Sequence, residues 1–528
     1  MSKVDVLIVG GGVTGAGIAR DLALRGTGVM LLEKSDFSTG ATGRSHGMLH
    51  SGGRYAVKDP ESAAECAKES AILRRIAGYC IEDTGGLFVG LEDDDPDFPD
   101  RFLRGCADTG VQANVITPEE ARSIEPRLSE KIESSIEVHD ASVDPFALTI
   151  GNVEDARDAG ADVRNYCLVE EFSLIDGRIQ EVIFENLRNG SRESVRPEIV
   201  VNAGGAWADC VASLAGLHIP MEIDKGTLVV LNGRLVNRLV NRLRMPSDGD
   251  IIVPNHSASI IGTTSKETDT PENTVASRSD VDHLILETSK MVPDVALARA
   301  VRAYVGVRPL PGEGKGGRDA SRTFKVIDHA EEGVENFLSI LGGKLTTYRL
   351  MAERMSDLVS HKLGSSGNCR TALEPISLPM AAEQRQDMLA FPMVRMTRKY
   401  GKDYRDIVRE CVTSLRGKEV LCSCEEVLRG EVEYFTGKSD VIRLSDLMRR
   451  TRAGMGYCQA GMCAFTLASV MIGHSNEDPL EIVGGFLKER WRGVEPVLLG
   501  AQLRQEVFNR YLHDGVYHLE SLLRGEER

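Results

Sequence analysis

The stretch VDVLIVGGGVTGAGIARDLALRGTGVMLLE, residues 4–33, decides the fold of this 528-residue chain. Its first part, residues 4–9, is apolar and rich in β-branched side chains, which predicts a buried strand. A glycine cluster and an alanine-rich helical segment follow, and residues 29–32 predict a second strand. The order strand, turn, helix, strand within about 30 residues predicts a Rossmann-like α/β domain.

The three glycines Gly10, Gly12 and Gly15 have the spacing G-x-G-x-x-G. At the turn from a strand to a helix, they allow a tight bend, close approach of a pyrophosphate and close packing of helix on strand. Glu33 ends the second strand, where its carboxylate can accept a hydrogen bond from a ribose hydroxyl. This combination predicts a site for a dinucleotide, either NAD or FAD.

Three further turns of small residues favour FAD over NAD. They are ATGRSHG at 41–47, AGGAW at 203–207 and GGK at 342–344, and the last two follow the apolar runs EIVVN and FLSIL. Open α/β sheets bind ligands at the carboxyl ends of their strands, so these turns can approach one long cofactor. The runs lie far apart in sequence, which predicts one domain assembled from distant segments.

Composition and charge exclude several classes of function. The net charge is −16, so the surface has no general attraction for nucleic acid or anionic lipid, and an anionic substrate would need a local basic pocket. No apolar run reaches the roughly 18–20 residues that cross a bilayer. We therefore expect a cytoplasmic protein, in which the eleven cysteines are thiols or ligands rather than disulfides.

Four cysteines near the carboxyl end form the second strong motif. Cys422 and Cys424 are separated by one residue, and Cys458 and Cys463 by four, with a segment of helical character between the two pairs. Four thiolates can hold zinc or an iron–sulfur cluster. Because structural zinc sites usually have at least two residues between paired cysteines, the spacing favours a [2Fe–2S] cluster, with zinc as the alternative.

Several motifs resemble those of the FAD-dependent glycerol-3-phosphate dehydrogenases. They occur in order along about residues 1–360: the glycine loop, then ATGRSHGMLHSGGRY at 41–55, GTTS at 262–265, YVGVRPL at 304–310 and GGKLTTYRLMAE at 342–353. With its cysteine-rich end, the whole chain is similar to the large catalytic subunits of anaerobic, quinone-linked members. The cysteine region itself resembles bacterioferritin-associated ferredoxin-like modules.

The resemblance implies an FAD domain of the D-amino-acid-oxidase or glutathione-reductase type. The expected units are a 1–365 FAD-binding domain with an interleaved α+β substrate domain at about 50–195 and 206–330, a 366–415 linker or helical segment, a mostly helical 416–475 iron–sulfur domain and a 476–528 helical tail. The expected cofactor-binding residues are Gly10, Gly12, Gly15, Glu33, Thr42, Gly43, Ser45, Ala203, Gly204, Trp207, Gly342, Gly343, Lys344, Leu345 and Thr346.

The resemblance also implies oxidation of sn-glycerol 3-phosphate to dihydroxyacetone phosphate, with hydride transfer to FAD. Arg54, Tyr55 and Arg322 would bind substrate, because arginine matches the geometry of a phosphate group. Arg308 would stabilise the charge that develops on the C2 oxygen. His50 is the expected base, and Lys344 is the alternative.

Partners follow from the resemblance alone. They are a second flavoprotein subunit and a membrane-anchoring iron–sulfur subunit, with quinone as the final acceptor. The partner subunits would hold the protein at the cytoplasmic face of the membrane. Two other functions remain open from the residues themselves. One is an FAD-dependent amine or 2-hydroxy-acid dehydrogenase, and the other is a regulatory iron-binding or redox-sensing module.

Overall fold

The structure is a computed structural model that describes residues 2–312, 323–376, 395–473 and 479–516. In these ranges the α-helices are α1 Val13–Leu24, α2 Pro60–Ile76, α3 Phe98–Thr109, α4 Pro118–Ile124, α5 Pro145–Asp158, α6 Ala208–Ser213, α7 Arg278–Met291, α8 Tyr348–Leu363, α9 Tyr404–Thr413, α10 Arg429–Thr436, α11 Leu444–Thr451, α12 Ala464–Ile472, α13 Pro479–Val494 and α14 Gly500–Tyr511.

The strands of the same ranges are β1 Ser2–Val9, β2 Val29–Leu32, β3 Met48–Leu49, β4 Ile81–Glu82, β5 Gly86–Leu91, β6 Ala113–Ile116, β7 Ile132–Val138, β8 Ala141–Val143, β9 Asp162–Arg164, β10 Cys167–Ile175, β11 Arg178–Asn186, β12 Ser191–Asn202, β13 Met221–Leu231, β14 Leu239–Arg242, β15 Ile251–Asn255, β16 Ala258–Gly262, β17 Lys266–Glu267, β18 Ala300–Pro311, β19 Phe324–Asp328, β20 Phe337–Gly342, β21 Val420–Cys422 and β22 Val427–Leu428.

The first sheet has a parallel centre in the order β9, β2, β1, β12, β20. Strands β10 and β11 extend it as an antiparallel ribbon beside β12, and β19 pairs with β20. Helices α1, α5 and α8 cover one face. Gly17 lets α1 approach α8 closely, since a Cβ there would lie 2.9 Å from the ring of Tyr348.

Parts of the range 50–195, expected in the interleaved domain, lie on this first sheet. Strand β9 pairs in parallel with β2, and α5 packs against α1. The reason is burial of apolar surface. Val153 and Val163 complete the core under α1, and without them the apolar side chains beside the edge of β2 would be exposed to solvent. The distant apolar runs at β1, β12 and β20 do pair in one sheet.

The second sheet has nine strands, in the order β17, β13, β16, β15, β14, β5, β7, β6, with β18 also on β13. Helices α4 and α7 pack on its apolar side, where Val229, Ile261 and Leu284 are buried. The long antiparallel pair β13–β18 places Asp224 directly opposite Arg308. This register brings a carboxylate and a guanidinium group together at the edge of the second sheet that faces the first sheet.

The carboxyl-terminal unit has its own apolar core, built from residues between Met396 and Phe486. Helix α9 lies in the segment 366–415, expected as a linker or helical segment, and packs into that core through Ile407 and Cys411. Helix α13 likewise adds Ile482 and Phe486 from the expected tail. Each of these helices buries an apolar stripe in this core, which explains why they join the cysteine region.

Within the described ranges, no helix combines the length and the apolar character that crossing a membrane requires.

Candidate active site

A cavity of about 910 Å³ lies where the parallel strands of the first sheet end. Such an edge is where ligands bind in open α/β sheets. Three of the predicted cofactor-binding residues do not line it and are described below, while the other twelve do: Gly10, Gly12, Glu33, Thr42, Ser45, Ala203, Gly204, Trp207, Gly342, Gly343, Lys344 and Leu345. Turns that are far apart in sequence therefore surround one elongated space.

Glycine is required where the backbone segments approach each other in this cavity. Gly10 has φ +114°, and a Cβ there would lie 2.5 Å from the carbonyl oxygen of Ala203. A Cβ on Gly15 would lie 1.9 Å from the carbonyl oxygen of Gly10, so this residue lets α1 pack on β1. Gly12 immediately precedes α1, and the first residues of the helix, Val13 and Thr14, line the cavity, the arrangement that binds a pyrophosphate.

Glu33 is held in place by the backbone. Its carboxylate accepts hydrogen bonds from the N–H of Gly11 at 2.6 Å and of Ser35 at 2.8 Å. Burial raises the pKa of Glu33 above its usual value, while these two hydrogen bonds oppose the rise. An acceptor fixed at the end of β2 and lining the cavity fits recognition of a ribose hydroxyl.

Two of the other predicted residues support the cavity from behind. A Cβ on Gly43 would lie 2.2 Å from the carbonyl oxygen of Ser38, so this glycine permits a tight packing of the loop. The hydroxyl of Thr346 accepts a hydrogen bond from the backbone N–H of His50 at 3.0 Å. That contact ties the turn after β20 to the segment 46–55.

The segment 46–55 brings several polar side chains next to the cavity. The rings of His50 and Tyr55 lie 5.2 Å apart, and the Lys344 ammonium lies 4.6 Å from the Tyr55 ring centroid. Arg54 lies 3.5 Å from the buried carboxylate of Asp250. Four of the predicted site residues are thus brought together from two distant parts of the chain.

Arg308 reaches the same region from β18 and lines the cavity. Its guanidinium pairs with Asp224 and the hydroxyl of Thr263, and it donates to the carbonyl oxygen of Thr264 at 3.2 Å. Asp224 is buried, so the cation is fixed in direction. The sequence contains no signal for Asp224. For Thr263 the signal is the GTTS motif at 262–265.

His46 is the residue of this group that our sequence reasoning missed, although it lies inside the quoted motif SHGMLH. Its ring is 5.9 Å from that of His50. Burial, together with the charges of Arg54 and Arg308, lowers the pKa of His46 to about 3. Burial and neighbouring groups, including Arg54 and Lys344, hold the pKa of His50 well below its usual range.

The Nδ1 atoms of His46 and His50 are buried, and neither finds a hydrogen-bond partner among the described residues. Two neutral imidazoles with an unused ring nitrogen therefore lie among the cations of Arg54, Arg308 and Lys344. This arrangement can bind a dianion and accept a proton from a neutral ligand group. Arg322, the remaining predicted substrate residue, lies outside the described residues.

The four predicted metal ligands meet in two pairs. The thiols of Cys422 and Cys463 are in hydrogen-bond contact, as are those of Cys424 and Cys458. The N–H of Gly454 also donates to the Cys422 sulfur at 3.3 Å. Across the described ranges, no group of three or more His, Cys, Asp or Glu side chains is arranged as a metal site.

Comparison with known proteins places the chain in a family. The profile of FAD dependent oxidoreductases matches residues 5–358. The A subunit of the anaerobic glycerol-3-phosphate dehydrogenase of Haemophilus influenzae is 42% identical, over 98% of this chain and 94% of its own. The corresponding subunit of Escherichia coli K12 is 41% identical, over 98% and 97%.

A solved structure also has the same fold. The glycerol-3-phosphate dehydrogenase of Bacillus halodurans, complexed with FAD, superposes with a TM-score of 0.73 at 22% identity, covering 94% of this chain and 96% of that one. These findings confirm the predicted α/β fold class, the predicted family and FAD as the cofactor. The chain belongs to the FAD-dependent oxidoreductases and, within them, groups with the A subunits of anaerobic glycerol-3-phosphate dehydrogenase.

Proposed function

We propose that the protein oxidises sn-glycerol 3-phosphate to dihydroxyacetone phosphate. The observation that carries this proposal is the group of three cations and two buried neutral histidines beside the FAD cavity. The substrate offers a phosphate dianion and a secondary alcohol, which match the cations and the unused imidazole nitrogens. Relatives that are named glycerol-3-phosphate dehydrogenases support the same substrate.

Binding of the phosphate falls to the arginines. Arg54 lies near both histidines, and we assign it to the phosphate. The family resemblance adds Arg322 to the phosphate site. Arg308, whose guanidinium is held by Asp224 and Thr263, is assigned to the C2 oxygen instead. Lys344 lies over the ring of Tyr55, and such contact with an aromatic face favours the charged ammonium. We therefore assign Lys344 to binding rather than to proton abstraction.

Proton transfer falls to His50. Its low pKa keeps the ring neutral, and its Nδ1 can take the proton of the C2 hydroxyl. FAD, when bound, would supply the acceptor for the hydride of C2. As the C2 hydroxyl gives up its proton, Arg308 can stabilise the negative charge that develops on the C2 oxygen. The proton of the hydroxyl thus goes to His50, and the electron pair of the C2–H bond would leave with the hydride.

We also propose that Cys422, Cys424, Cys458 and Cys463 hold a [2Fe–2S] cluster. The support is the donor set: two thiol pairs already in contact, with one partly exposed member each, Cys424 and Cys458. Four thiolates are the usual ligands of such a cluster, which moves electrons one at a time. Zinc on the same thiols is the alternative, and metal analysis with electron paramagnetic resonance of the reduced protein separates the two.

The cluster would pass electrons towards membrane quinone through partner subunits. We propose a second flavoprotein subunit, together with a membrane-anchoring iron–sulfur subunit, with this chain peripheral on the cytoplasmic face. The support is that the relatives are named as A subunits of a larger enzyme. Co-purification of further subunits with a tagged chain, and quinone reduction only when they are present, tests this assembly.

An anaerobic titration of the flavin tests the reaction itself. Glycerol 3-phosphate should bleach the flavin absorbance at stoichiometric amounts, whereas proline, sarcosine and 2-hydroxyglutarate should not. Bleaching by an amine or a hydroxy acid would favour the alternative dehydrogenases, and no bleaching by any of them would favour a redox sensor. For titrations of variants at the site, Arg178→Ala is a suitable control because Arg178 is partly exposed and its ion pair with Glu335 lies outside the site.

A further inference from the structure

Arg452, the residue that follows helix α11, joins three parts of the chain through one buried guanidinium group. The residue is 4% exposed. Its Nη1 donates to the carboxylate of Asp144 at 3.0 Å, its Nη2 to the side-chain oxygen of Asn255 at 2.6 Å and its Nε to the carboxylate of Glu425 at 3.1 Å. Asp144 precedes α5 on the first sheet, Asn255 ends β15 of the second sheet, and Glu425 lies between β21 and β22 of the carboxyl-terminal unit. One side chain therefore holds the cysteine region against both sheets.

The contact with Asp144 leads towards the FAD cavity. The other carboxylate oxygen of Asp144 accepts hydrogen bonds from the N–H groups of Phe146 at 2.9 Å and Ala147 at 3.0 Å, which caps α5. The ring of Phe146 packs against the loop 41–47, because a Cβ on Gly43 would lie 2.5 Å from that ring. Residues 41, 42, 44 and 45 of this loop line the FAD cavity. The contact thus connects Arg452 to the loop 41–47 through Asp144 and the first turn of α5.

The contact with Glu425 leads to the predicted cluster ligands. Glu425 follows Cys424 directly, and its other carboxylate oxygen accepts a hydrogen bond from the hydroxyl of Ser257 at 2.7 Å. Gly456 lies between these groups, since a Cβ there would lie 2.5 Å from Cys424 and 2.8 Å from the Ser257 hydroxyl oxygen. The turn after β21 is therefore packed tightly against the second sheet.

The backbone just after Arg452 contacts a second predicted ligand. Gly454 donates its N–H to the sulfur of Cys422 at 3.3 Å. Arg452 has φ +59° and Gly454 has φ +80°, so the chain turns sharply before it reaches the sulfur. Left-handed backbone is unfavourable for a residue with a Cβ, and the three hydrogen bonds of the Arg452 side chain stabilise it here. The position of the Gly454 N–H therefore depends on Arg452.

We propose that Arg452 is a positioning residue that holds the cysteine turns against the FAD domain and sets the reduction potential of the [2Fe–2S] cluster proposed above. The inference rests on that proposed function, since it concerns the group that the four thiolates would bind. Net charge and hydrogen bonds to the sulfurs tune the potential of such a cluster. Arg452 contributes to both, as a guanidinium that stays charged in proteins and as the anchor of the Gly454 N–H.

The sign of the effect follows from the charges at this place. Adding an electron makes a thiolate-bound cluster more negative, and a nearby cation favours that addition. Replacing Arg452 with glutamine removes the cation from the buried carboxylates of Asp144 and Glu425, so reduction becomes less favourable. Lysine keeps the charge but, as a point charge on a flexible stem, does not match three acceptors as the planar guanidinium does. Charge and positioning can therefore be tested separately.

The test is a redox titration of the full chain loaded with FAD and iron, followed by electron paramagnetic resonance of the reduced protein. Arg452→Gln should make one-electron reduction at least about tenfold less favourable, a shift of about 59 mV to more negative potential. Arg452→Lys should stay within about threefold of the wild type because it keeps the charge. The matched control is Arg449→Gln, which removes the same charge from α11 but whose ion pairs are with Asp36 and Asp446. It should also stay within about threefold of the wild type.

Hydrogen–deuterium exchange of the same proteins measures the positioning. Residues 422–428 and 453–458 should exchange faster in both Arg452 variants than in the wild type, because neither new side chain reaches all three acceptors. Glu425→Gln is a second check if Arg452→Gln does not retain iron. This variant removes a negative charge and keeps an acceptor for Arg452, so its potential should shift in the positive direction.

The inference is overturned by an unshifted potential in Arg452→Gln, or by an equal shift in Arg452→Lys or Arg449→Gln. A negative shift in Glu425→Gln, or wild-type exchange in both Arg452 variants, also overturns it. Zinc instead of iron in the wild type contradicts the proposed cluster, and the inference fails with it. Iron with an unshifted potential contradicts the inference alone, so the two failures are distinguishable.

Discussion

Replacing Asp36 with asparagine should loosen the carboxyl-terminal unit from the FAD domain. Asp36 lies three residues after Glu33 and is 1% exposed. Its carboxylate accepts hydrogen bonds from Arg450 at 2.8 and 2.9 Å and from Arg449 at 2.7 Å. These arginines are on helix α11, so one buried ionic cluster connects the loop 35–47, which lines the FAD cavity, to the cysteine region.

The size of the effect follows from the burial of this cluster. Removing one partner of a buried ion pair costs about 3–5 kcal/mol. Arg450 retains Asp440 at 3.2 Å, so the lower end, about 3 kcal/mol, is expected for Asp36→Asn. Since each 1.36 kcal/mol is about a factor of ten, states in which the carboxyl-terminal unit has separated from the FAD domain should become roughly a hundredfold more populated.

The pH dependence of this contribution has a definite sign. Burial alone would raise the pKa of Asp36, but the charges of Arg450 and Arg449 outweigh burial and lower it below its usual value. A carboxyl group with a lowered pKa stabilises the fold above its unfolded pKa of about 3.9, and this stability is lost as pH falls through the folded value. The difference between Asp36→Asn and wild type should therefore be constant from about pH 5 to pH 8.

Hydrogen–deuterium exchange of α11 and of the loop 35–47 measures the opening directly. The matched control is Asp162→Asn, whose partly exposed ion pair with Arg164 should contribute only about 0–1 kcal/mol. We expect faster exchange of α11 in Asp36→Asn than in the control, and faster release of FAD. Equal exchange in the two variants would refute the argument that this cluster holds the units together.

Three further predictions concern the site. Arg308→Ala should retain FAD but lose activity at least about a hundredfold, because one hydrogen bond to the developing charge contributes about 2.7–4 kcal/mol; near-normal steady-state turnover would exclude Arg308 from the site. His50→Gln should slow stopped-flow flavin reduction by about 10²–10⁴-fold. Since the pKa of His50 lies well below its usual range, wild-type reduction should show no acid limb near pH 6.5, and such a limb would contradict its assignment as the base. Joint replacement of Cys458 and Cys463 by serine should leave flavin reduction largely intact but sharply reduce electron transfer to quinone, and an unchanged quinone reaction in iron-free protein would assign the thiols another role.

The parts of the site that could be predicted from the sequence are those with local causes. Gly10, Gly12 and Glu33 lie within one strand–helix–strand unit, so spacing alone places them together. His50 and Arg54 lie within one short motif next to that unit. Backbone geometry over a few residues fixes such positions, and few alternative arrangements have to be excluded.

The partners of these residues could not be predicted in the same way. Asp224 faces Arg308 because β13 and β18 pair in one register, and their separation of 84 residues shows no pattern in the sequence. His46 looks like any other histidine until the fold buries it between two arginines. Long-range register and burial, rather than local propensity, determine these contacts.

The coupling between the units is the least predictable feature and bears most on how the cysteine variants must be interpreted. Cys463 is buried in the same core as helix α11, whose Arg450 reaches Asp36 across 414 residues of sequence. Loss of the thiol arrangement can therefore disturb the loop 35–47 even if hydride transfer makes no chemical use of the proposed cluster. Cys463→Ser can be compared with an Asp36→Asn variant that still contains iron. If both variants lose the same amount of FAD, the two units are mechanically coupled. FAD retention in Cys463→Ser without iron would show that the core tolerates the change and that the roles of the two units are separable.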